Sequence, residues 1–106
     1  MPAAPLPANE PQRIMALRAL DLLDTPPEER FDRLTRLAAR ILGVPIAQVT
    51  LVDEERQFMK SSYGIDPVQT SRDSSFCSYA ILENKQLVVP DALHDPRFAD
   101  LSLIHI

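Results

Sequence analysis

Cys77 is the single cysteine of the 106-residue chain, and it lies in the stretch richest in small polar residues: Ser71-Arg72-Asp73-Ser74-Ser75-Phe76-Cys77-Ser78. A thiol at a helix start is favoured as the nucleophilic thiolate. Nothing in the sequence supplies a base for it, since His94 and His105 are remote in the chain. Cys77, Ala80 and Ile81 also recur at i, i+3 and i+4, the spacing of one apolar helix face, on which a cysteine is a small hydrophobe. Asp91, His94, Asp95 and Asp100 match no closed zinc set and have no second soft ligand beside Cys77. A turn at Asp95-Pro96 explains that pair more simply. With only Gly43 and Gly64 in the chain there is no glycine-rich phosphate loop, dinucleotide fingerprint or hydrolase elbow. Arg30, Arg33, Arg36 and Arg40 invite a phosphate-binding reading, but Glu28, Glu29 and Asp32 neighbour them, as on a solvated helix face. No catalytic residue, metal ligand or cofactor is assigned.

The remaining chemistry is recognition. Asp73 or Ser74 can cap a short helix, Asn84 can stop it, and Leu87-Val88-Val89 reads as a buried strand ended by Pro90. A helix start aimed at a strand end is a concave corner rich in N–H donors, which attracts anions and polar ligands. The expected small-molecule site uses Ser74, Ser75, Phe76 and Cys77 for polar contacts. Asp91 stands at the strand end, and Phe58 or Met59, depending on strand facing, forms the apolar wall.

The elements that position this corner follow from periodicity. Residues 1–9 form a Pro- and Ala-rich tail expected to be disordered. Ile14, Leu17, Leu20 and Leu23 predict an amphipathic helix from Pro11 to Leu23, read either as packing on the domain or as a dimer or signalling helix. Thr25-Pro26-Pro27-Glu28 reads as a capping box opening a second helix. Its stripe is Phe31, Leu34, Leu37, Ala38, Ile41 and Leu42, closed by Gly43 and Pro45. Residues 45–53 and 57–63 predict a β-hairpin about the polar turn Asp53-Glu54-Glu55-Arg56. Strict alternation puts Gln57, Met59 and Ser61 on one face, and Phe58, Lys60 and Ser62 on the other. The fold class is α+β, with N-terminal helices packed on an antiparallel sheet too small to be complete.

Composition excludes several classes. The length suits one domain. A net charge of −4 with no basic run argues against nucleic acid. No apolar run approaches the roughly 20 residues that cross a bilayer, so no direct membrane contact is expected. A lone cysteine suits a reducing cytoplasm.

Three groups of residues carry a family resemblance. They are Leu23-Asp24-Thr25-Pro26-Pro27-Glu28 with Phe31-Asp32-Arg33-Leu34; Val49-Thr50-Leu51-Val52-Asp53; and Phe76-Cys77-Ser78-Tyr79-Ala80-Ile81, Leu87-Val88-Val89-Pro90-Asp91-Ala92 and Asp95-Pro96-Arg97-Phe98-Ala99-Asp100. In this order they resemble the GAF domains at the front of bacterial signalling proteins, over roughly residues 10–100. The resemblance implies a sensory or regulatory module of a histidine kinase or diguanylate cyclase type protein, binding a small ligand or mediating dimerisation. It also implies a homodimer through the N-terminal helix, and further strands and a closing helix after Asp100. Residues 101–106 depart from the family pattern, as a foreign tail at a truncation would. The alternative is a cysteine-dependent redox enzyme or thiol sensor similar to free methionine sulfoxide reductase. Those enzymes need further cysteines, and this chain has none. Bilin-binding GAF domains carry histidine directly after the attachment cysteine, where this chain has Ser78.

Overall fold

The computed structural model describes residues 3–83 and 85–96 and, of Ser74, the backbone only. The expectations for Asn84 and residues 101–106 lie outside the described residues.

Helix α1 spans Glu10–Ala19, with proline in its first turn and Ile14 and Leu17 buried on one side. It stops four residues short of the expected end at Leu23. The chain then passes through Asp21 and Asp24 with φ of 53° and 59°, the left-handed region that aspartate tolerates better than most residues. A contact distant in sequence holds that turn. The Arg56 guanidinium forks onto the Asp24 carboxylate at 2.6 and 2.7 Å and keeps it below its ordinary carboxylate range. The capping box does not form. Thr25 Oγ1 donates to the Leu22 carbonyl, and Glu28, the residue before helix α2, turns its carboxylate to Lys60.

Helix α2, Glu29–Leu42, ends as expected at Gly43, whose φ of 65° lets its N–H reach the Ala39 carbonyl. Which face it buries is a correction. Thr35 and Ala39 are buried, whereas Leu34, Leu37, Ile41 and Leu42 are exposed. The reason is polar: Thr35 Oγ1 and Asp32 Oδ1 both hydrogen-bond Ser61 Oγ, at 3.0 and 2.6 Å, and seat this side of the helix on the sheet.

Strands β1, Ala47–Val52, and β2, Arg56–Tyr63, form the expected antiparallel hairpin. The turn closes with Asp53 N–H donating to the Arg56 carbonyl at 2.8 Å. A bulge interrupts the register: Thr50 faces Met59, but Val49 faces Ser61, so Lys60 is the extra residue. The two faces expected from alternation are therefore corrected. Directly opposed residues share a face, so Gln57, Met59 and Ser62 stand with Val52, Thr50 and Gln48, and Phe58 and Ser61 stand with Leu51 and Val49 beneath α2. Beyond the hairpin, Gly64 has φ of 84° and lies so close to Pro45 that an added Cβ would meet its carbonyl oxygen at 1.9 Å.

The third strand is not the expected one. β3 is Thr70–Ser71, paired with Gln57 and Arg56, and the order is β1-β2-β3. A turn of 3-10 helix over Arg72–Ser74 and the short helix α3, Cys77–Ala80, follow. Leu87-Val88-Val89 forms no strand, and Val88 is exposed. Its β-branched residues favour a ladder only where an edge receives them, and among the described residues none does. The architecture is α+β. Helix α2 covers one face of the hairpin, and α1 and α3 flank β1 on the other side.

Candidate ligand-binding clefts

Two clefts flank the hairpin. The first, about 510 Å³, lies between α1, β1 and α3. Leu17 of α1 and Leu20 just past its end form one wall, Thr50 and Val52 of β1 the floor, and Cys77, Ala80 and Ile81 the other wall. It is largely apolar. Its polar groups are Thr50 Oγ1 and Cys77 Sγ, 3.1 Å apart, and the stem of Arg13 at the rim. The Arg13 guanidinium is already occupied: it donates to the Val52 carbonyl at 2.5 Å and forks onto Glu10 at 2.8 and 3.0 Å.

That arginine belongs to a knot anchoring the start of α1. Glu10 also receives Arg72, whose side chain is 6% exposed, at 2.5 and 3.1 Å. Arg72 reaches on to the carbonyls of Asp53 and Glu54 in the hairpin turn. Hydrogen bonds from Arg13, then from Arg72, hold the Glu10 carboxyl down to about 2. One wall of the cleft is thus tied to its floor through a partly buried ion cluster.

The second cleft, about 400 Å³, lies along β2 and is lined by Phe58, Met59 and Ser62, by Thr25 and Asp32, and by the loop around Val68. Beside it Lys60 is sealed, with its side chain 0% exposed. The ammonium has three donors, and three acceptors meet it at 2.6 Å: Thr25 Oγ1, the Pro26 carbonyl and Glu28 Oε2. The Phe31 ring centroid lies 5.7 Å away. This cation is spent on joining the α1–α2 connection to the sheet, and none of its donors remains for a ligand.

The expected site residues are divided by this geometry. Phe58 and Met59 line the second cleft, and Cys77 lines the first. Ser75 lines neither: it is 1% exposed, donates to the Arg72 carbonyl at 2.9 Å and accepts from Ser78 N–H at 3.3 Å. It is the cap that Asp73 or Ser74 was expected to provide, and its burial leaves no room there for a larger side chain. Part of the N–H-rich corner is already used, because Ser78 N–H meets Ser75 Oγ and Tyr79 N–H meets the Phe76 carbonyl. Phe76 precedes α3 and is half-buried; the side chain of Ser74 lies outside the described residues. Asp91 is exposed, caps the turn Ala92–His94 and accepts a hydrogen bond from His94 Nδ1–H at 2.5 Å, away from both clefts. Sequence reading missed Thr50, Arg13 and Leu17. Thr50 and Val52 share the hairpin face that meets α3, which the alternation Gln48, Thr50, Val52 already encodes.

Among the described residues no helix is long and apolar enough to cross a membrane, and no group of three or more His, Cys, Asp or Glu could hold a metal ion. The family model for the GAF domain matches residues 26–105. A curated relative, a cyclic di-GMP phosphodiesterase of Pseudomonas aeruginosa, is 38% identical over 100 residues, which is 94% of this chain and 17% of the relative. The chain therefore spans about a sixth of the length of that relative. Both matches run through the capped second helix, the hairpin and the Cys77 stretch, and the chain belongs to the GAF domain family, as a regulatory module with a bacterial signalling relative.

Proposed function

We propose that this chain is the sensory part of a bacterial signal-transduction protein, without catalysis of its own, and that it binds a small molecule in the cleft between α1, β1 and α3. The ligand class that suits the lining is largely apolar with a single hydrogen-bonding group, directed at Thr50 and Cys77. The observation that carries this reading is that α1 is itself a wall of the cleft, so occupancy bears directly on the position of the N-terminal helix. That helix would pass the state to an output domain, of the kinase or cyclase type or of the phosphodiesterase type named in the relative. A cytoplasmic location and pairing with a second copy through α1, where Met15 is exposed, belong to the same proposal. The thiol-chemistry alternative has less support: the polar neighbour of Cys77 is a hydroxyl, and His94 is engaged with Asp91.

The test uses 1-anilinonaphthalene-8-sulfonate as an amphiphilic probe of the cleft. Ala80→Trp, which fills the cleft from α3, should remove most of the saturable fluorescence, while Ile41→Glu on the remote face of α2 should retain it. Equal probe binding by wild type and Ala80→Trp, with unchanged circular dichroism, would overturn the placement.

A further inference from the structure

The cleft along β2 is walled on both sides by this chain. The α1–α2 connection and the first turn of α2 stand on one side, and the loop at Pro67–Gln69 on the other. Its volume of about 400 Å³ falls at the small end of ligand pockets, about 300–1,000 Å³. One turn of helix, about 10 Å across and about 5 Å long, would already fill it. The hollow therefore suits a small molecule and not a further element of a chain.

Two charged residues line it, Lys60 and Asp32. Lys60 is neutralised by Glu28, and its three donors are spent. Asp32 has no such partner. Its Oδ1 accepts from Ser61 Oγ at 2.6 Å, whereas Oδ2 is open to solvent and the residue makes no ion pair among the described residues. Arg36, one turn further along α2, pairs with Glu29 instead. The hydroxyl hydrogens around the cleft are also committed. Thr25 Oγ1 donates to the Leu22 carbonyl, Ser62 Oγ to the Ile65 carbonyl, and Ser61 Oγ to Asp32 itself. The N–H groups of Phe31 and Asp32 both donate to the Glu28 carbonyl. Among the described residues, the exposed amide of Gln69 is the one lining side chain with hydrogens left to give. The lining thus presents oxygen lone pairs, one uncompensated negative charge and the half-buried ring of Phe58. An anion finds almost no side-chain donor here, whereas a cation bearing several N–H groups finds acceptors, a counter-charge and an aromatic wall.

We propose that the cleft along β2 binds a small organic cation: a primary ammonium that donates to Asp32 Oδ2, on a short apolar body that packs against Phe58 and Val68. A bare metal ion is a poorer occupant, because one free carboxylate oxygen falls far short of the oxygen cage that a hard cation takes. This hollow is distinct from the cleft beside α1, and the proposal does not rest on that cleft binding a ligand.

The experiment titrates butylammonium chloride, butanol and sodium butyrate, alike in body and different in charge, onto the isotope-labelled 106-residue chain. Amide shifts are followed by nuclear magnetic resonance at constant ionic strength and about pH 7, where the amine is protonated and the acid ionised. Butylammonium should shift the amides of Ser62, Val68 and Gln69 saturably, butanol should bind about tenfold more weakly, and butyrate should not bind. Asp32→Asn, whose carboxamide oxygen still accepts from Ser61, should weaken butylammonium to the level of butanol. Val68→Lys, at a position 55% exposed, adds a positive charge at the rim and should weaken butylammonium with the fold intact, so the charge argument is tested even if Asp32→Asn does not fold. Asp91→Asn, away from both clefts, should change nothing. Absence of saturable shifts, equal binding of butylammonium and butanol, unchanged binding by a folded Asp32→Asn or by Val68→Lys, or shifts centred on Thr50 and Cys77 would each overturn the proposal.

Discussion

Replacing Glu10 with glutamine tests whether the ion knot holds α1 in place. The perturbation removes one charge and keeps size and hydrogen-bonding capacity. In the folded chain the Glu10 carboxyl titrates near 2, against an ordinary 4.5. At about 1.4 kcal/mol per pH unit the interval corresponds to about 3 kcal/mol. Glu10 and Arg13 are 13 and 18% exposed, so solvent screening lowers this to about 2 kcal/mol. The folded-state value lies below the unfolded one. The contribution is therefore complete above about pH 5 and is lost as the pH falls from about 4.5 towards 2. Urea unfolding followed by circular dichroism should give a gap between wild type and Glu10→Gln of about 2 kcal/mol at pH 7, closing as the pH approaches 2. Should the variant be unfolded without denaturant, the gap is read in about 1 M of a stabilising osmolyte. A gap that persists undiminished in acid, or one below about 0.5 kcal/mol at pH 7, would refute the electrostatic account.

Lys60→Met should cost about 2–3 kcal/mol in urea unfolding, since it strips the Pro26 carbonyl and Thr25 Oγ1 of their donor, while the half-exposed Glu28 carboxylate can turn to water. The two glycines should separate cleanly: Gly64→Ala, whose methyl would meet Pro45 O at 1.9 Å, should lose 3 kcal/mol or more by the order of severe core defects, about 3 kcal/mol. Gly43→Ala, with open space around it, should lose only the left-handed cost of about 1 kcal/mol. Ser75→Ala should cost about 1–2 kcal/mol by leaving Ser78 N–H without its acceptor, and Ser75→Arg should give aggregated or unfolded protein by sedimentation. The 106-residue chain alone should unfold broadly in a thermal scan, because among the described residues β1 and most of β2 present unpaired edges; a sharp reversible transition of a monomer would contradict this.

What was legible in the sequence is what local chemistry decides. The Gly43 cap, the hairpin about Asp53–Glu55 and the end of β2 at Gly64 each follow from a few adjacent residues, and the structure forms them where they were expected. The departures arise from partners distant in sequence. Helix α1 ends early because Arg56, 32 residues on, holds Asp24 in a left-handed turn. One bulge at Lys60 exchanges the facing of Ser61 and Ser62, and with it the meaning of every alternation argument downstream. β3 is two residues long, too short to leave a pattern, while Leu87–Val89 carries the pattern of a strand without an edge to join. The site suffered in the same way. Phe58 and Met59 line one hollow and Cys77 another, so the bulge and the buried Ser75 divide the expected residues between two clefts instead of one corner.

The interior bears on what covering either surface would do to stability. Among the described residues the buried hydrophobic side chains are Ile14, Leu17, Ala39, Val52 and Met59, against a larger buried set of polar ones that includes Lys60, Arg72, Ser75 and Ser78. Buried ion pairs and hydrogen bonds specify geometry strongly but add little net stability, because desolvation offsets most of what they return. Apolar burial, the dominant source of stability, is correspondingly small here, and much apolar area lies instead on the cleft beside α1 and on the outer face of α2. Any molecule that covers either surface stabilises the folded form by an amount set by its concentration relative to its dissociation constant, about 2.7 kcal/mol at a hundredfold excess. In a domain whose own apolar core is slight, that increment is large. The polar knots hold the framework in one arrangement, so stability added in this way would be felt at α1 and α2 as a change in order and position rather than as a change of fold.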